Sequence, residues 1–160
     1  SNVLPYIEGE EEKIESEPRK ILAQFNGSGL TFSDEIKLSA QCNRVPVSVG
    51  HQVCVFASFN TPVSIEYVHK AWEDFNPFEN IREKLSMAPK QTFLYHNDLM
   101  RPQPLLDVEY DKGMGINIGR VRKCSISDIK FVALSNNLIR GAAGTGILAA
   151  ELAYHKGWTT

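Results

Sequence analysis

The chain reads as an α+β domain, with a mostly antiparallel or mixed sheet and flanking helices. Three observations point there. Strand-like stretches recur at 36–47, 51–60, 113–121 and 129–134. Helical apolar spacing appears at 14–22, 65–75 and 137–156. The order is strand, strand, helix, loop, strand, strand, helix, not the alternation that builds a parallel βαβ sheet.

Val3-Leu4-Pro5-Tyr6-Ile7 reads as extended and mostly buried. The acidic run Glu8-Gly9-Glu10-Glu11-Glu12 then opens a helix, where carboxylates meet the positive end of the helix dipole. Ile14, Ile21 and Leu22 share one stripe of it, and Pro18 is expected to end or kink it. Asn26-Gly27-Ser28-Gly29 is a turn signal. In the second strand Val53, Val55, Ala57 and Phe59 alternate with Gln52, Cys54, Phe56 and Ser58. Thr61-Pro62 reads as a cap with proline at the first helical position, and Ile65, Val68, Trp72 and Phe75 fall on one face. Asn76-Pro77 stops that helix. Residues 79–112 read as irregular, and the tail as a long helix rich in Ala and Gly.

With 160 residues, length alone fits about one domain. Seventeen Lys and Arg against nineteen Asp and Glu leave a net charge of −2, which lacks the basic excess of a nucleic-acid binder. No apolar run is long enough to span a bilayer, and no basic-then-apolar leader opens the chain, so a cytoplasmic location is expected. Three cysteines without paired spacing fit neither a disulfide framework nor a zinc cluster. Small buried hydrophobes are the expected role for Cys42, Cys54 and Cys124, with only Cys124 near a basic cluster.

Two glycine patterns invite a phosphate-loop reading. Gly113-Met-Gly115-Ile-Asn-Ile-Gly119 continues as a strand instead of opening a helix, so a bulged or closely packed strand is expected. Gly141-Ala-Ala-Gly144-Thr-Gly146 lies within the terminal helix, where glycine costs about 1 kcal/mol against alanine. Close backbone packing would justify it, and so would approach of a ligand near Asn137.

Glu10 and Lys13 project from one helix face. They form either a solvated ion pair or a site for a zwitterionic or phosphorylated molecule. Arg44 and His51 flank a break at Pro46 and Gly50. An arginine fork binds a carboxylate in bidentate fashion, and histidine exchanges protons near neutral pH. A purely structural role for both is the alternative.

Three phrases taken together carry a resemblance: Glu10-Glu11-Glu12-Lys13-Ile14, Cys42-Asn43-Arg44-Val45-Pro46-Val47 through Gly50-His51, and Asn137-Leu138-Ile139-Arg140-Gly141-Ala142-Ala143. In this order and spacing the chain resembles the aspartate-semialdehyde dehydrogenases. The Arg101-Pro-Gln-Pro run and the 115–122 strand resemble their archaeal and fungal branch. The resemblance implies a C-terminal domain like that of glyceraldehyde-3-phosphate dehydrogenase. It implies NADPH-dependent reduction of β-aspartyl phosphate to aspartate semialdehyde, on the route to lysine, threonine, methionine and isoleucine.

By position, the resemblance implies that Glu10 meets the substrate amino group and Lys13 its phosphate. Arg44 would grip the α-carboxylate, His51 would be the acid/base, and Asn137 would lie near the nicotinamide end of NADP. The family begins with a Rossmann-type NADP domain, and its nucleophilic cysteine stands in an Asn-Cys-Ser context; neither is present here. The chain therefore resembles the C-terminal portion of such an enzyme and is expected to be inactive alone. Residues 1–136 would be a partial substrate-binding and dimerisation domain, and 137–160 a helix packing on the absent NADP domain. A homodimer or homotetramer acting on a small molecule is implied, with no nucleic-acid or membrane partner. A malonyl- or succinyl-CoA reductase of the same branch, or a non-catalytic dimerisation module, are the alternative readings.

Overall fold

The computed structural model describes residues 2–159, and the chain divides into two compact units, one running to Val47 and one starting at Ser48.

The first unit is built on α1 (Glu10–Ile21), whose first turn holds Glu10, Glu11 and Glu12 as the dipole argument requires. Pro18 lies within α1 but does not end it, because Leu22 N–H bonds the Pro18 carbonyl at 3.0 Å and closes the last turn. β1 (Gln24–Phe25) and β2 (Leu30–Thr31) pair antiparallel across the expected turn. There the Asn26 side chain accepts from the N–H groups of Ser28 and Gly29.

Residues 36–47 do not form the expected strand. Their backbone donors bond to α1 instead of to a neighbouring strand: Glu15 accepts from Ala40 N–H at 2.7 Å, and Glu11 from Cys42 N–H at 2.6 Å. Strand-like pairing survives only as one bridge, Leu4 to Arg44. Val3–Ile7 is extended but not buried, since Val3, Leu4 and Tyr6 are all more than half exposed. No described residue of this unit is buried.

The second unit contains β3 (His51–Ala57), α2 (Ile65–Asp74), a 3₁₀ turn at Arg82–Lys84 and β4 (Phe93–His96). These are followed by α3 (Pro104–Asp107), β5 (Ile116–Lys123), β6 (Ile129–Ser135), a π-helical turn at Ile139–Ala143 and α4 (Gly144–His155). Its four-stranded sheet has the order β3-β6-β5-β4, antiparallel except for the parallel β4–β5 pair, so the expected mixed sheet is present.

β4 and α3 lie in the stretch expected to be irregular. The four residues Phe93-Leu94-Tyr95-His96 show no alternation of polarity, because both faces of β4 are half-buried. α2 starts three residues later than Thr61-Pro62 indicated. Its cap is Ser64, whose hydroxyl accepts from Tyr67 N–H at 3.0 Å. The predicted face of α2 packs on the sheet, with the Trp72 ring 5.2 Å from Phe131 and 6.3 Å from Phe93.

The sheet core is Ile118, Ile129 and Leu134, and a second cluster of Leu85, Met114 and Leu148 packs α4 against the segments around Leu85 and Met114. Both glycine patterns prove to be packing devices at particular residues. A side chain at Gly119 would collide with the Arg101 carbonyl, and the ladder shifts register between Gly119 and Arg122. Gly144 is buried against the Met114 sulfur, whereas Gly146 has open space.

Candidate functional site

In the first unit, Glu10 and Lys13 both sit in the opening turns of α1. Among the described residues no ion pair joins them, so the solvated-pair reading does not hold in this structure. The Lys13 ammonium is exposed with no carboxylate within 4 Å, leaving its charge available to an anion. Arg44 is anchored through its backbone, bonding Leu4 in both directions at 2.8 and 3.0 Å. Its exposed guanidinium makes no hydrogen bond to any described residue. A fixed backbone with an unengaged fork is suited to a carboxylate ligand.

In the second unit, His51 is the first residue of β3 and pairs with Ser135 of β6. Its side chain is exposed. Directly before it, Gly50 has φ 116°, and a side chain there would press on Leu134 at 3.1 Å and Val108 at 3.2 Å. Only glycine fits that bend. The Gly50 N–H donates to Asn137 Oδ1 at 2.7 Å, a bond across 87 positions of sequence. None of the described residues accepts from Asn137 Nδ2, so its donor side is open to a ligand carbonyl. Asn136, buried beside it, caps the next turn by accepting from the N–H groups of Leu138 and Ile139, both at 2.9 Å.

A polar network that sequence reasoning missed supports this region from below. Asp107, only 4% exposed, takes the Arg101 guanidinium in a two-pronged pair and accepts from Gln103 N–H at 2.6 Å. Asn117 Nδ2 donates to the Asp107 carbonyl at 2.8 Å, which turns Asn117 Oδ1 toward His96 Nε2 at 2.9 Å. An oxygen there requires the proton on His96 Nε2. Burial pushes the Asp107 carboxyl up, but the bonds from Arg101 and Gln103 and the nearby charges of His96 and Arg101 hold it below its ordinary range. The signal for this network was Asn117, a lone amide within the apolar strand run Ile116-Asn117-Ile118. The network fixes α3, whose Pro104 lies 3.7 Å from where a Gly50 side chain would start.

The cysteines depart from their expected burial. Cys54 is exposed on the edge strand β3, and Cys42 and Cys124 are half-buried; all three are free thiols. Burial and the charges of Glu11 and Glu10 push the Cys42 thiol up. The Cys124 thiol is lowered, chiefly by the Ile126 N–H and not by the basic cluster upstream.

The family of semialdehyde dehydrogenase dimerisation domains matches residues 1–140. The chain belongs to that family. Among its relatives, the aspartate-semialdehyde dehydrogenase of Archaeoglobus fulgidus is 43% identical over 94% of this chain. The chain spans 42% of the length of that relative. A crystal structure of aspartate semialdehyde dehydrogenase with NADP from Candida albicans superposes with TM-score 0.86 at 40% identity, over 99% of this chain and 46% of that one. Aspartate semialdehyde dehydrogenase II from Vibrio cholerae, complexed with ASA, matches at TM-score 0.70 and 25% identity, over 96% and 41% of the two chains. As a semialdehyde dehydrogenase dimerisation domain, the chain has the α+β fold expected of it. Among the described residues, no helix is long and apolar enough to cross a membrane.

Proposed function

We propose that the whole protein is an NADP-dependent aspartate-semialdehyde dehydrogenase, converting β-aspartyl phosphate to aspartate semialdehyde with release of phosphate. The observation that carries this reading is the Arg44-to-His51 segment. It combines a backbone-anchored arginine with an unengaged fork and a histidine that follows a bend only glycine can make. A 43% identical relative carrying that activity in its name supports it.

The roles are proposed residue by residue. Arg44 binds the substrate α-carboxylate through paired N–H donors. Lys13 meets the phosphate, and Glu10 the ammonium. His51 transfers the proton needed at the carbonyl oxygen and returns it in the reverse direction. Asn137 Nδ2, without a protein acceptor, fits a carbonyl of the cofactor. NADPH supplies the hydride when bound. The attacking thiol comes from outside this chain, because no cysteine here stands in the Asn-Cys-Ser context. The chain by itself would therefore be inactive, with 1–136 contributing substrate binding and dimerisation and 137–160 packing on the NADP domain. Three free thiols fit a reducing, cytoplasmic compartment. The assembly is a homodimer or a pair of dimers.

Steady-state assays of the full-length protein test this. NADPH oxidation with β-aspartyl phosphate, and none with malonyl-CoA or succinyl-CoA, is the expected result. Activity on a CoA thioester alone would overturn the substrate assignment, and absence of activity on all three would leave a binding module as the reading.

A further inference from the structure

We infer that Asn137 is a positioning residue for His51, acting through the backbone of Gly50. The inference rests on the proposed role of His51 and adds to Asn137 a task distinct from cofactor contact. Ser135 and His51 are the last paired residues of the β3–β6 ladder. Two residues on, the chain leaves β6 and the Asn137 side chain takes over the ladder's work, its Oδ1 accepting from Gly50 N–H at 2.7 Å. That bond ties down the residue directly before His51, at the point where the backbone passes through φ 116°.

The surroundings make the tie directional. Gly50 lies against Leu134 of β6 and Val108 beside α3, so the bend is walled on two sides and held by a bond on another. Asn137 is itself held on both flanks. Asn136 is 1% exposed and spends its oxygen on Leu138 and Ile139 N–H groups. After it, Gly141 N–H bonds the Asn136 carbonyl at 2.9 Å in the π-helical turn. Asn137 thus transmits the placement of the turn capped by buried Asn136 to an exposed imidazole. Its two polar atoms point to separate tasks, since the oxygen is engaged by the protein while Nδ2 is not.

Steady-state kinetics of the full-length enzyme, with β-aspartyl phosphate and NADPH, tests the inference in four variants: H51A, N137A, N137D and H51A/N137A. If Asn137 places His51, N137A loses about 10- to 100-fold in kcat while the KM for β-aspartyl phosphate stays within about twofold, whatever the loss of the Nδ2 contact does to the KM for NADPH. N137D keeps an oxygen acceptor for Gly50 and recovers kcat to within about fivefold of the parent. The double variant is no slower than H51A, because the misplaced group is already gone.

An unchanged kcat in N137A, or a raised KM for NADPH as its only defect, overturns the inference and leaves the role of His51 standing. So does a double variant whose loss is the product of the two single losses. A full kcat in H51A overturns the underlying reading of His51 and the inference with it. N137S, whose oxygen falls one bond short, is measured in parallel and is held to the outcomes stated for N137A, so a misfolded N137A does not leave the question open.

Discussion

At the scale of single residues, the distinction that matters is between charges that are spent and charges that are available. Asp107 is spent: it is nearly buried and bonded to Arg101 and Gln103. Arg44 is available, its guanidinium unengaged by any described residue. Replacing Arg44 by lysine keeps the charge and removes the fork. The expected result is a fall of about 10- to 100-fold in kcat/KM in the full-length enzyme, the cost of a lost charge-assisted bond. Near-parent kinetics would take Arg44 out of the substrate site.

Asp107→Ala makes the opposite kind of prediction. It leaves Arg101 and the Gln103 N–H without their acceptor, and should cost about 3 kcal/mol in denaturant unfolding at neutral pH. The folded-state carboxyl of Asp107 titrates below its ordinary range, so the stability it contributes is present at neutral pH. That contribution is lost as pH falls from about 4 through the lower, folded-state value. The alanine variant should therefore show a shallower loss of stability on acidification than the parent. An identical acid profile would mean that the network contributes nothing.

At the scale of elements, glycine content reads differently once each position has neighbours. Gly144 and Gly146 stand on the same helix, two residues apart, and nothing in the sequence separates them. A methyl group at Gly144 would collide with the Met114 sulfur and lie 3.0 Å from the Ile139 carbonyl. At Gly146 it would meet nothing within 4 Å. Gly144→Ala should destabilise by about 1–3 kcal/mol through overpacking. Gly146→Ala should stabilise by about 0.5–1 kcal/mol through the helix propensity of alanine. Thermal melts of the two variants should therefore move in opposite directions, and a shift of the same sign in both would refute the packing argument.

Strands divide along the same line. β3 was legible because it alternates, and β6 because it is a short, mostly apolar run that ends at turn residues. β4 was not, because its short run Phe93-Leu94-Tyr95-His96, half-buried on both faces, carries no periodicity. The 36–47 segment misled in the other direction. Its composition suits a strand, but Glu11 and Glu15 of α1 occupy backbone donors that a neighbouring strand would need.

At the scale of the molecule, the two units differ in what holds them. The second has a buried core running through Ile118, Ile129 and Leu134. The first has no buried residue among those described, with Ile21 75% and Phe25 71% exposed. Stability follows burial. Hydrogen exchange on this chain should therefore show strong protection in β5 and β6 and near-complete exchange across residues 2–47. Equal protection in both would contradict the link between burial and stability drawn here. For the full-length protein, light scattering should report a dimer or a pair of dimers. Phe56, 60% exposed on the edge strand β3, is a test position: Phe56→Glu should shift the equilibrium toward monomer if that strand face meets a second copy.

Residue types and spacing by themselves determined the fold class, the acidic opening of α1, the turn at Asn26 and the family, because these depend on local chemistry and on short runs of side chains. Arg44 and His51 could be nominated for the site only because they stand in a phrase that resembles the family's. Only the tertiary structure decided which polar groups are already engaged. The Asn137 bond to Gly50 spans 87 positions, and the Asp107 network joins five residues drawn from β4, β5, α3 and the turn between β4 and α3. Such bonds form between groups that folding brings together, and spacing along the chain carries no record of them.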